Sequence, residues 1–262
     1  SIHSDNIEYI KKNINDNFCH DILKIVTSVP NCQILEKSNL AKNTILVDNK
    51  SNDFRVKNKY MTPVSSIVNQ ATAPNQLNYL NYLDRCFELD GKKFLFLFGS
   101  NIGESPSSFI HNKVITKFQE NIVYLNFESD NIDNIIDLIN KPYFKGASVT
   151  MPYKEEVISY FKEKNDIDAI NTIIKNEDSI EFSNTDSLAL EYFINDNKVF
   201  ILGTGGAAIG ALEATKGRDV TIVGRNEEKL NLLSGKYKVK YIKLDDFSKP
   251  KNFYQVINCL PP

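Results

Sequence analysis

The sequence has almost no excess of charge of either sign and no long apolar segment. Among 262 residues, 31 Lys and Arg stand against 33 Asp and Glu, so the formal net charge is −2. Such a balance provides no electrostatic footprint for nucleic acid or for an anionic membrane surface. The longest apolar run, FLFLFG at residues 94–99, is far shorter than the roughly 20 residues that cross a bilayer. We therefore expect small molecules, not nucleic acids or membranes, as binding partners.

Cysteine is also scarce. The four cysteines form no CxxC pair and have no histidine at a metal-binding spacing. This usage indicates free thiols in the reducing cytoplasm and argues against disulfides and against a zinc site. We predict a cytoplasmic protein without a metal. The last residues, VINCLPP, form an apolar strand with a turn just begun, so we also expect a fragment of a longer polypeptide.

Strand-like segments alternate with helical ones along the whole chain. This alternation predicts an α/β protein with mostly parallel sheets. A change of composition at residues 69–93 separates a first segment from the rest. The strands are predicted at Asp21–Val29, Asn43–Asn49, Lys92–Ser100, Asn121–Ser129, Gly146–Met151, Ala169–Lys175, Lys198–Gly206, Asp219–Arg225, Lys238–Leu244 and Tyr254–Leu260.

A glycine-rich corner follows one of the buried strands. VFIL at residues 199–202 leads into GTGGAA at residues 203–208 and then into an alanine-rich helical segment. This is the G-x-G-x-x-A form of the dinucleotide fingerprint, whose glycines permit a tight turn and let the backbone approach a pyrophosphate. The following helix N-terminus supplies amide donors. A plain strand-to-helix turn of small residues is the alternative. The predicted cofactor contacts are Gly203, Gly205, Gly206 and Ala207.

The next predicted strand distinguishes between the two nicotinamide dinucleotides. NAD sites usually carry Asp or Glu at the end of this strand, for the ribose 2′-hydroxyl. Here the strand ends in Gly224, Arg225 and Asn226, without a carboxylate. A guanidinium suits a 2′-phosphate, although an exposed arginine at a strand end is the alternative. We predict NADP as the cofactor, with Arg225 and Asn226 among its contacts.

A second corner carries Lys154, within SVTMPYKEEV at residues 148–157. The β-branched residues predict a strand, and Pro152 ends it because proline cannot donate to a ladder. The residues from Tyr153 onward predict the start of a helix. Functional side chains of α/β proteins concentrate at such corners. On this segment alone, a solvated lysine in a first helical turn is favoured over a catalytic one.

The segments from residue 94 onward, together with the glycine corner, resemble the shikimate dehydrogenase family and occur in the family's order. Besides the corner they are FGSNIGESPSSFIHN (98–112), GASVTMPYKEEV (146–157), AINT (169–172), SNTDSLAL (183–190), VGRNEEK (223–229) and VINCLPP (256–262).

The resemblance implies an NADP-dependent shikimate dehydrogenase, which reversibly reduces 3-dehydroshikimate to shikimate. Lys154 and Asp186 would be its catalytic pair, because an ammonium held by a carboxylate can protonate the ketone oxygen. Glu104 stands where family members usually carry histidine. The implied substrate contacts are Ser105 and Ser107, which would hold the substrate carboxylate, and Thr150, Asn171 and Thr185.

The first segment resembles type I 3-dehydroquinate dehydratase. SIH at residues 1–3 and DILKIVTSV at residues 21–29 look like that family's catalytic histidine and Schiff-base lysine, which implies His3 and Lys24. A buried strand lysine is a credible nucleophile because desolvation favours its neutral amine. For Lys24 alone, a snorkelling strand lysine is the simpler interpretation. The segments FRVKNKYMTPVSS and ATAPNQL resemble the close of that barrel and imply Arg55 and Gln76 as substrate contacts.

Dehydratase followed by dehydrogenase is the order both of the pentafunctional AROM polypeptides of chorismate and aromatic amino acid biosynthesis and of the plant bifunctional enzyme. The segment NKYMTPV at residues 58–64 resembles the AROM version more than the plant one. We therefore interpret the chain as a C-terminal fragment of an AROM-like multifunctional enzyme. The alternative is a catalytically inactive remnant that binds nucleotide or serves as an assembly surface. A homodimer is compatible with the enzyme and with the remnant. The predicted domains are residues 1–85, part of a (β/α)8 dehydratase barrel; residues 92–187, an α/β substrate domain; and residues 188–262, an incomplete Rossmann NADP-binding domain truncated at its C-terminus.

Overall fold

The computed structural model describes residues 2–16, 23–27, 32, 34–35, 44–48, 76–161, 167–248 and 254–260. The chain divides into two compact units, Ser1–Lys93 and Phe94–Pro262. Both contain parallel sheets, and the predicted mixed α/β class is confirmed. Within the ranges just given, no helix is long and apolar enough to cross a membrane.

The first unit contains a three-stranded sheet whose strands lie in sequence order. All its strands are parallel, and Lys24 on the middle strand pairs with Ile45 on the third. Parallel neighbours need a crossover connection, which fits a chain of βα units. Membership of these strands in a barrel stays a prediction. The strands are β1 (Ile2–His3), β2 (Leu23–Thr27) and β3 (Thr44–Asp48).

Helix α1 (Ile7–Asp16) covers this sheet. Its isoleucines recur with the i, i+3, i+7 spacing that places them on one helical face. Ile10 is fully buried in a cluster with Ile25 and Leu46. The helix therefore forms because one face is apolar and the sheet provides a surface that buries it.

Helix α2 (Tyr79–Asp90) lies within the segment that the composition marked only as a boundary. Asn78 caps it by accepting a hydrogen bond of 2.8 Å from the amide of Asn81. Gly91, with φ of +63°, ends it in the left-handed conformation that glycine adopts at low cost. The two caps were the local signals of this helix, while its Asn and Tyr residues favour helix only weakly.

The second unit begins with a five-stranded sheet in the order β5-β4-β6-β7-β8. β4 and β6 are parallel, whereas β6–β7 and β7–β8 are antiparallel, which departs from the parallel pairing expected for βα units. The turn between β7 and β8 explains the second antiparallel pair, because it is too short for a crossover. β8 was not predicted from the sequence. The strands are β4 (Lys93–Gly99), β5 (Ile122–Glu128), β6 (Phe144–Val149), β7 (Thr172–Lys175) and β8 (Ile180–Ser183).

Aromatic side chains fill the core of this sheet. Phe96 and Phe98 on β4 stack at 5.7 Å between ring centroids, and Phe96 stacks on Phe144 at 5.8 Å. Such rings bury large apolar areas and dominate core energetics. The helices of this region are α3 (Ser107–Phe118), α4 (Ile132–Ile139) and α5 (Thr185–Phe193).

The second sheet of this unit is four-stranded and entirely parallel, in the order β11-β10-β9-β12. β9, the first of these strands in the chain, lies between β10 and β12. The direction in which strands are added therefore reverses between β9 and β12. Open α/β sheets bind ligands in the crevice at such a switch point. The elements are β9 (Lys198–Leu202), α6 (Gly206–Ala214), β10 (Asp219–Gly224), α7 (Glu227–Tyr237), β11 (Lys240–Lys243) and β12 (Gln255–Asn258).

Candidate active site

A cavity of about 560 Å³ lies where the lysine corner faces the glycine corner. The carboxyl ends of β6, β9, β10 and β12 lead into it, as expected for an α/β ligand site. Its lining residues are Thr150, Met151, Pro152, Lys154, Glu155, Gly203, Thr204, Gly205, Gly206, Ala207, Gly224, Arg225, Asn226, Lys229, Cys259 and Leu260.

Lys154 and Asp186 form an ion pair in this region. Nζ of Lys154 lies 2.6 Å from Oδ2 of Asp186, and the lysine side chain is only 17% exposed. Lys154 lies in a turn rather than in the helix predicted from the sequence, and a short 3₁₀ helix follows at Val157–Tyr160. The carbonyl of Lys154 accepts a hydrogen bond of 2.8 Å from the amide of Ile170. A partly buried, charge-paired ammonium in a cavity is a candidate acid–base group.

Tyr153 anchors the lysine turn to the residue that follows β5, a role that sequence reasoning missed. Its hydroxyl donates to the backbone carbonyl of Ser129 at 2.5 Å, and the side chain is buried. Burial raises the pKa of this hydroxyl, so it remains a neutral donor. The local signal was weak, because the partner of this hydroxyl lies 24 residues away in the sequence.

Asn171 and Thr185 contact each other beside the ion pair. Oδ1 of Asn171 accepts from the amide of Thr185 at 2.9 Å and from its hydroxyl at 3.0 Å. Thr185 is the first residue of α5, directly before Asp186. The structure thus brings three of the predicted site residues to one helix N-terminus.

Ser105 and Ser107 lie together at the start of α3. The Ser105 hydroxyl donates to the Ser107 hydroxyl at 3.1 Å and accepts from the Ser107 amide at 3.4 Å. Two hydroxyls at a helix N-terminus suit a carboxylate, because the amides there add positive partial charge.

The loop that leads from β4 to Ser105 and Ser107 starts beside the lysine corner. The reason is that β4 and β6 are parallel neighbours, so both strands end at the same edge of the sheet. The amide of Thr150 donates to the carbonyl of Phe98 at 2.8 Å. A Cβ on Gly99 would lie 2.5 Å from Cγ2 of Thr150, closer than real atoms approach. Glycine is therefore required where β4 ends against Thr150.

The glycines of the nucleotide corner have different neighbours. Gly203 has φ of +119°, and a Cβ there would lie 3.0 Å from the carbonyl oxygen of Cys259, at the switch point between β9 and β12. A Cβ on Gly205, the N-cap of α6, would meet no heavy atom of the described residues within 4 Å. The space over Gly205 and the amides that follow it form the kind of cradle that a pyrophosphate fills. The residues present therefore fit a dinucleotide.

Gly206 has a third kind of neighbour. A Cβ there would lie 2.8 Å from Cβ of Lys154 and 3.3 Å from its Cδ. The lysine stem is therefore laid directly on the glycine turn, and only glycine permits this approach.

Arg225 directly follows β10, lines the cavity and is exposed. Asn226, next to it, caps α7 by accepting from the amide of Lys229 at 3.0 Å. Lys229, a further cation at the cavity that sequence reasoning missed, lies 3.3 Å from Glu155. The sequence signal that could have identified Lys229 was its position in the first turn of the helix that follows Arg225. Both partners of the pair are more than a third exposed, so it contributes at most about 1 kcal/mol.

Cys259 lies near the ion pair, and its side chain is half-buried. Burial raises the pKa of its thiol to about 11, with Lys154 opposing and Asp186 reinforcing that shift. The thiol is therefore protonated at neutral pH. Throughout the described part of the chain, no cluster of His, Cys, Asp and Glu is arranged to hold a metal ion.

The predicted site of the first unit is described only in part. The register places His3 beside Val26, two positions along β2 from Lys24, but the His3 side chain lies outside the described residues. Arg55 also lies outside them, and Gln76 precedes α2. The dehydratase assignment of these residues stays a prediction.

Comparison with known proteins identifies relatives of this chain. The family described as "Shikimate dehydrogenase substrate binding domain" matches residues 97–173. A shikimate dehydrogenase (NADP(+)) of Clostridium botulinum is 35% identical over 181 residues, covering 63% of this chain and 70% of the relative. One from Methanococcus vannielii is 31% identical over 199 residues, covering 66% and 70%.

Solved structures agree with these sequence matches. A shikimate dehydrogenase crystallised in complex with NADP+ is 27% identical, with a TM-score of 0.54, over 65% of this chain and 67% of that one. Shikimate dehydrogenase 1 of Peptoclostridium difficile is also 27% identical, with a TM-score of 0.55, over 64% and 67%.

Proposed function

Because this chain belongs to the shikimate dehydrogenase family, we propose that it reversibly reduces 3-dehydroshikimate to shikimate with NADPH. The observation that carries this proposal is the 2.6 Å ion pair between Lys154 and Asp186, next to a cavity that the glycine corner also lines. NADPH, when bound, supplies the hydride. The remaining requirement, a proton for the ketone oxygen, falls to groups of this chain.

In this proposal Lys154 donates the proton. Its ammonium stabilises the alkoxide charge that develops on the ketone oxygen and then gives up a proton to it. Asp186 holds the ammonium in place from the first turn of α5. The stem of Lys154 lies on Gly206, so the proton donor and the nucleotide corner are positioned by the same contact.

The hydroxyl groups of the site bind the substrate in this proposal. Ser105 and Ser107 position its carboxylate at the start of α3, while Thr150, Asn171 and Thr185 contact its ring hydroxyls. Support comes from the Asn171–Thr185 hydrogen bonds beside Asp186 and from the paired serine hydroxyls. These short side chains position the substrate rather than react with it.

We expect NADPH to bind more tightly than NADH, because Arg225 lines the cavity at the end of β10 and can pair with the 2′-phosphate. Arg225→Ala should reduce the ratio of the two affinities about tenfold, as expected for loss of one charge-assisted contact. Fluorescence titration with each dinucleotide measures the ratio. Lys240→Ala is the matched control, since it removes a cation paired with Asp219 at the opposite end of β10. Equal affinities in the parent protein would contradict the NADP assignment.

The titration together with an assay of NADPH oxidation separates the enzyme from its alternative, a catalytically inactive remnant. A protein that binds NADPH but does not oxidise it with 3-dehydroshikimate would support the remnant. Turnover that requires both compounds supports the enzyme.

We further propose that residues 1–85 are part of a type I dehydroquinate dehydratase barrel within an AROM-like polypeptide. Support comes from three parallel strands in sequence order, with Lys24 on the middle strand and His3 on its neighbour. In such an enzyme the lysine amine condenses with the substrate ketone to form an imine and releases one water. The histidine then moves the proton from the carbon next to the imine to the substrate hydroxyl that leaves as a second water, and hydrolysis of the imine frees the product.

In a polypeptide that includes the complete barrel, borohydride with 3-dehydroquinate should label Lys24. The reason is that borohydride reduces the imine and makes the attachment permanent. Peptide mass spectrometry locates the label, and Lys24→Met, which has no amine, should abolish it. Labelling at any other lysine would overturn the assignment.

A further inference from the structure

We propose that Asn184 is the positioning residue of this site: its side-chain amide places Asp186, and through Asp186 the ammonium of Lys154, against helix α6. The inference rests on the proposed function, because it concerns how the same charged pair is held. Three contacts of one buried amide carry it. Asn184 is only 5% exposed.

The amide oxygen caps the helix that carries Asp186. Oδ1 of Asn184 accepts from the amide of Asp186 at 3.2 Å and from the amide of Ser187 at 3.4 Å. The Ser187 hydroxyl donates in turn to the carbonyl of Asn184 at 2.7 Å. These bonds set where α5 begins and therefore where the Asp186 carboxylate points. Loss of an N-cap frays the first helical turn, which is the turn that contains Asp186.

The amide nitrogen ties the same residue to the substrate side of the site. Nδ2 of Asn184 donates to the carbonyl of Ala169 at 3.0 Å. Ala169 lies two residues before Asn171, whose side chain accepts from Thr185. Only this orientation of the amide satisfies both sides, because the two backbone amides need an acceptor and the carbonyl needs a donor. One side-chain amide thus fixes both the start of the helix that carries Asp186 and the segment that carries Asn171.

The face of the amide packs against the nucleotide-binding helix. A Cβ on Gly210 of α6 would lie 3.0 Å from Nδ2 and 3.3 Å from Oδ1 of Asn184. The helix approaches this closely because Gly210 has no side chain. Asp186 is therefore placed relative to the helix whose N-terminus forms the nucleotide corner, and a shift of about 1 Å in such a group can cost up to about a hundredfold in rate.

Kinetics distinguish positioning from mere stabilisation. Asn184→Ala removes the cap and the Ala169 bond, and we expect kcat to fall at least about tenfold while the Kd of NADPH stays unchanged. Asn184→Ser, which retains a good capping oxygen but not the bond to Ala169, should recover part of kcat. Asn131→Ala is the matched control, because Asn131 caps α4 through the amide of Asp133 in the same way. It should lower the Tm without changing kcat.

A double-mutant cycle identifies the route of the effect. Because Asn184 acts through Asp186, Asn184→Ala should cause no further loss of kcat in an Asp186→Asn background. Equal losses in both backgrounds, or an equal loss in Asn131→Ala, would reduce Asn184 to a stabilising residue.

An NMR measurement of the Lys154 side chain tests the inference without relying on enzymatic turnover. Reductive methylation with ¹³C-formaldehyde gives each lysine an NMR signal, and the signal that disappears in Lys154→Met belongs to Lys154. In Asn184→Ala that signal should move to its position in Asp186→Asn, and in Asn131→Ala it should stay in place. A wild-type protein without turnover would contradict the proposed function alone. A Lys154 signal that does not move in Asn184→Ala would overturn the inference.

Discussion

Replacing Lys154 by methionine is expected to lower kcat by about 10²–10⁴-fold, the usual contribution of a positioned acid–base group. The KM for 3-dehydroshikimate should change far less, because the ammonium matters chiefly once negative charge develops on the ketone oxygen. Methionine keeps a long apolar stem, which can still lie on Gly206. The measurement is the steady-state oxidation of NADPH, followed by its absorbance.

The partner of the lysine should give a matching result. Asp186→Asn leaves the ammonium without its carboxylate, which lies 2.6 Å away in the wild type. We expect a similar loss of kcat, and the two losses should not add, because the residues act as a unit. Additive losses would mean that Asp186 acts independently of Lys154.

Two control variants separate catalysis from binding and from surface effects. Ser105→Ala should raise KM with little change in kcat, since a carboxylate contact is made equally in the ground and transition states. Lys216→Met removes an exposed lysine beyond α6 and should change neither constant. A Lys154→Met protein with near-normal turnover would make Lys154 a surface residue and end the case for catalysis at this corner.

Two neighbouring glycines should separate cofactor affinity from turnover. Gly205→Ala adds a methyl group to open space in the cavity, where the pyrophosphate would approach. Overpacking of this kind costs about 1–3 kcal/mol, so we expect the Kd of NADPH to rise about 5- to 150-fold. Gly206→Ala instead places a methyl group 2.8 Å from Cβ of Lys154. Displacing that stem should lower kcat about tenfold or more.

Each glycine variant serves as the control for the other. Fluorescence titration gives the Kd of NADPH, and saturating NADPH gives kcat. If Gly206→Ala weakened NADPH binding as much as Gly205→Ala and left kcat intact, the contact between Lys154 and Gly206 would have no role in catalysis. Equal stabilities of the two variants, checked by Tm, ensure that the comparison concerns the site.

Several features were accessible from the sequence because their causes are local. The nucleotide corner was predicted from glycines that a tight turn requires, and Gly203 does adopt a φ of +119°. The strands around it were predicted from apolar runs, and β9 and β10 lie within the predicted segments. Arg225 was identified as a candidate because it follows a predicted strand that ends without a carboxylate. Lys154 also follows a predicted strand, but it became a catalytic candidate only through the resemblance to the family.

Other features depended on neighbours that are distant in sequence. The helix expected after Pro152 is a turn, because the backbone of Lys154 is held by Ile170 and Tyr153 is held by Ser129. No role was predicted for Lys229, because only the position of α7 brings it to the cavity. Sequence reasoning gave Asn184 no role, because its contact with Gly210 depends on the position of α6.

The sequence by itself determined the α/β class, the glycine corner and the residue types that a dehydrogenase site needs. These follow from hydrophobic periodicity and from the φ/ψ freedom of single residues, which act over a few positions. The resemblance to the family already implied that Lys154 pairs with Asp186. Only the tertiary structure decided that the lysine stem rests on Gly206 and that one buried amide joins α5 to α6. Such contacts arise from close packing of separate elements, whose distances no local pattern encodes.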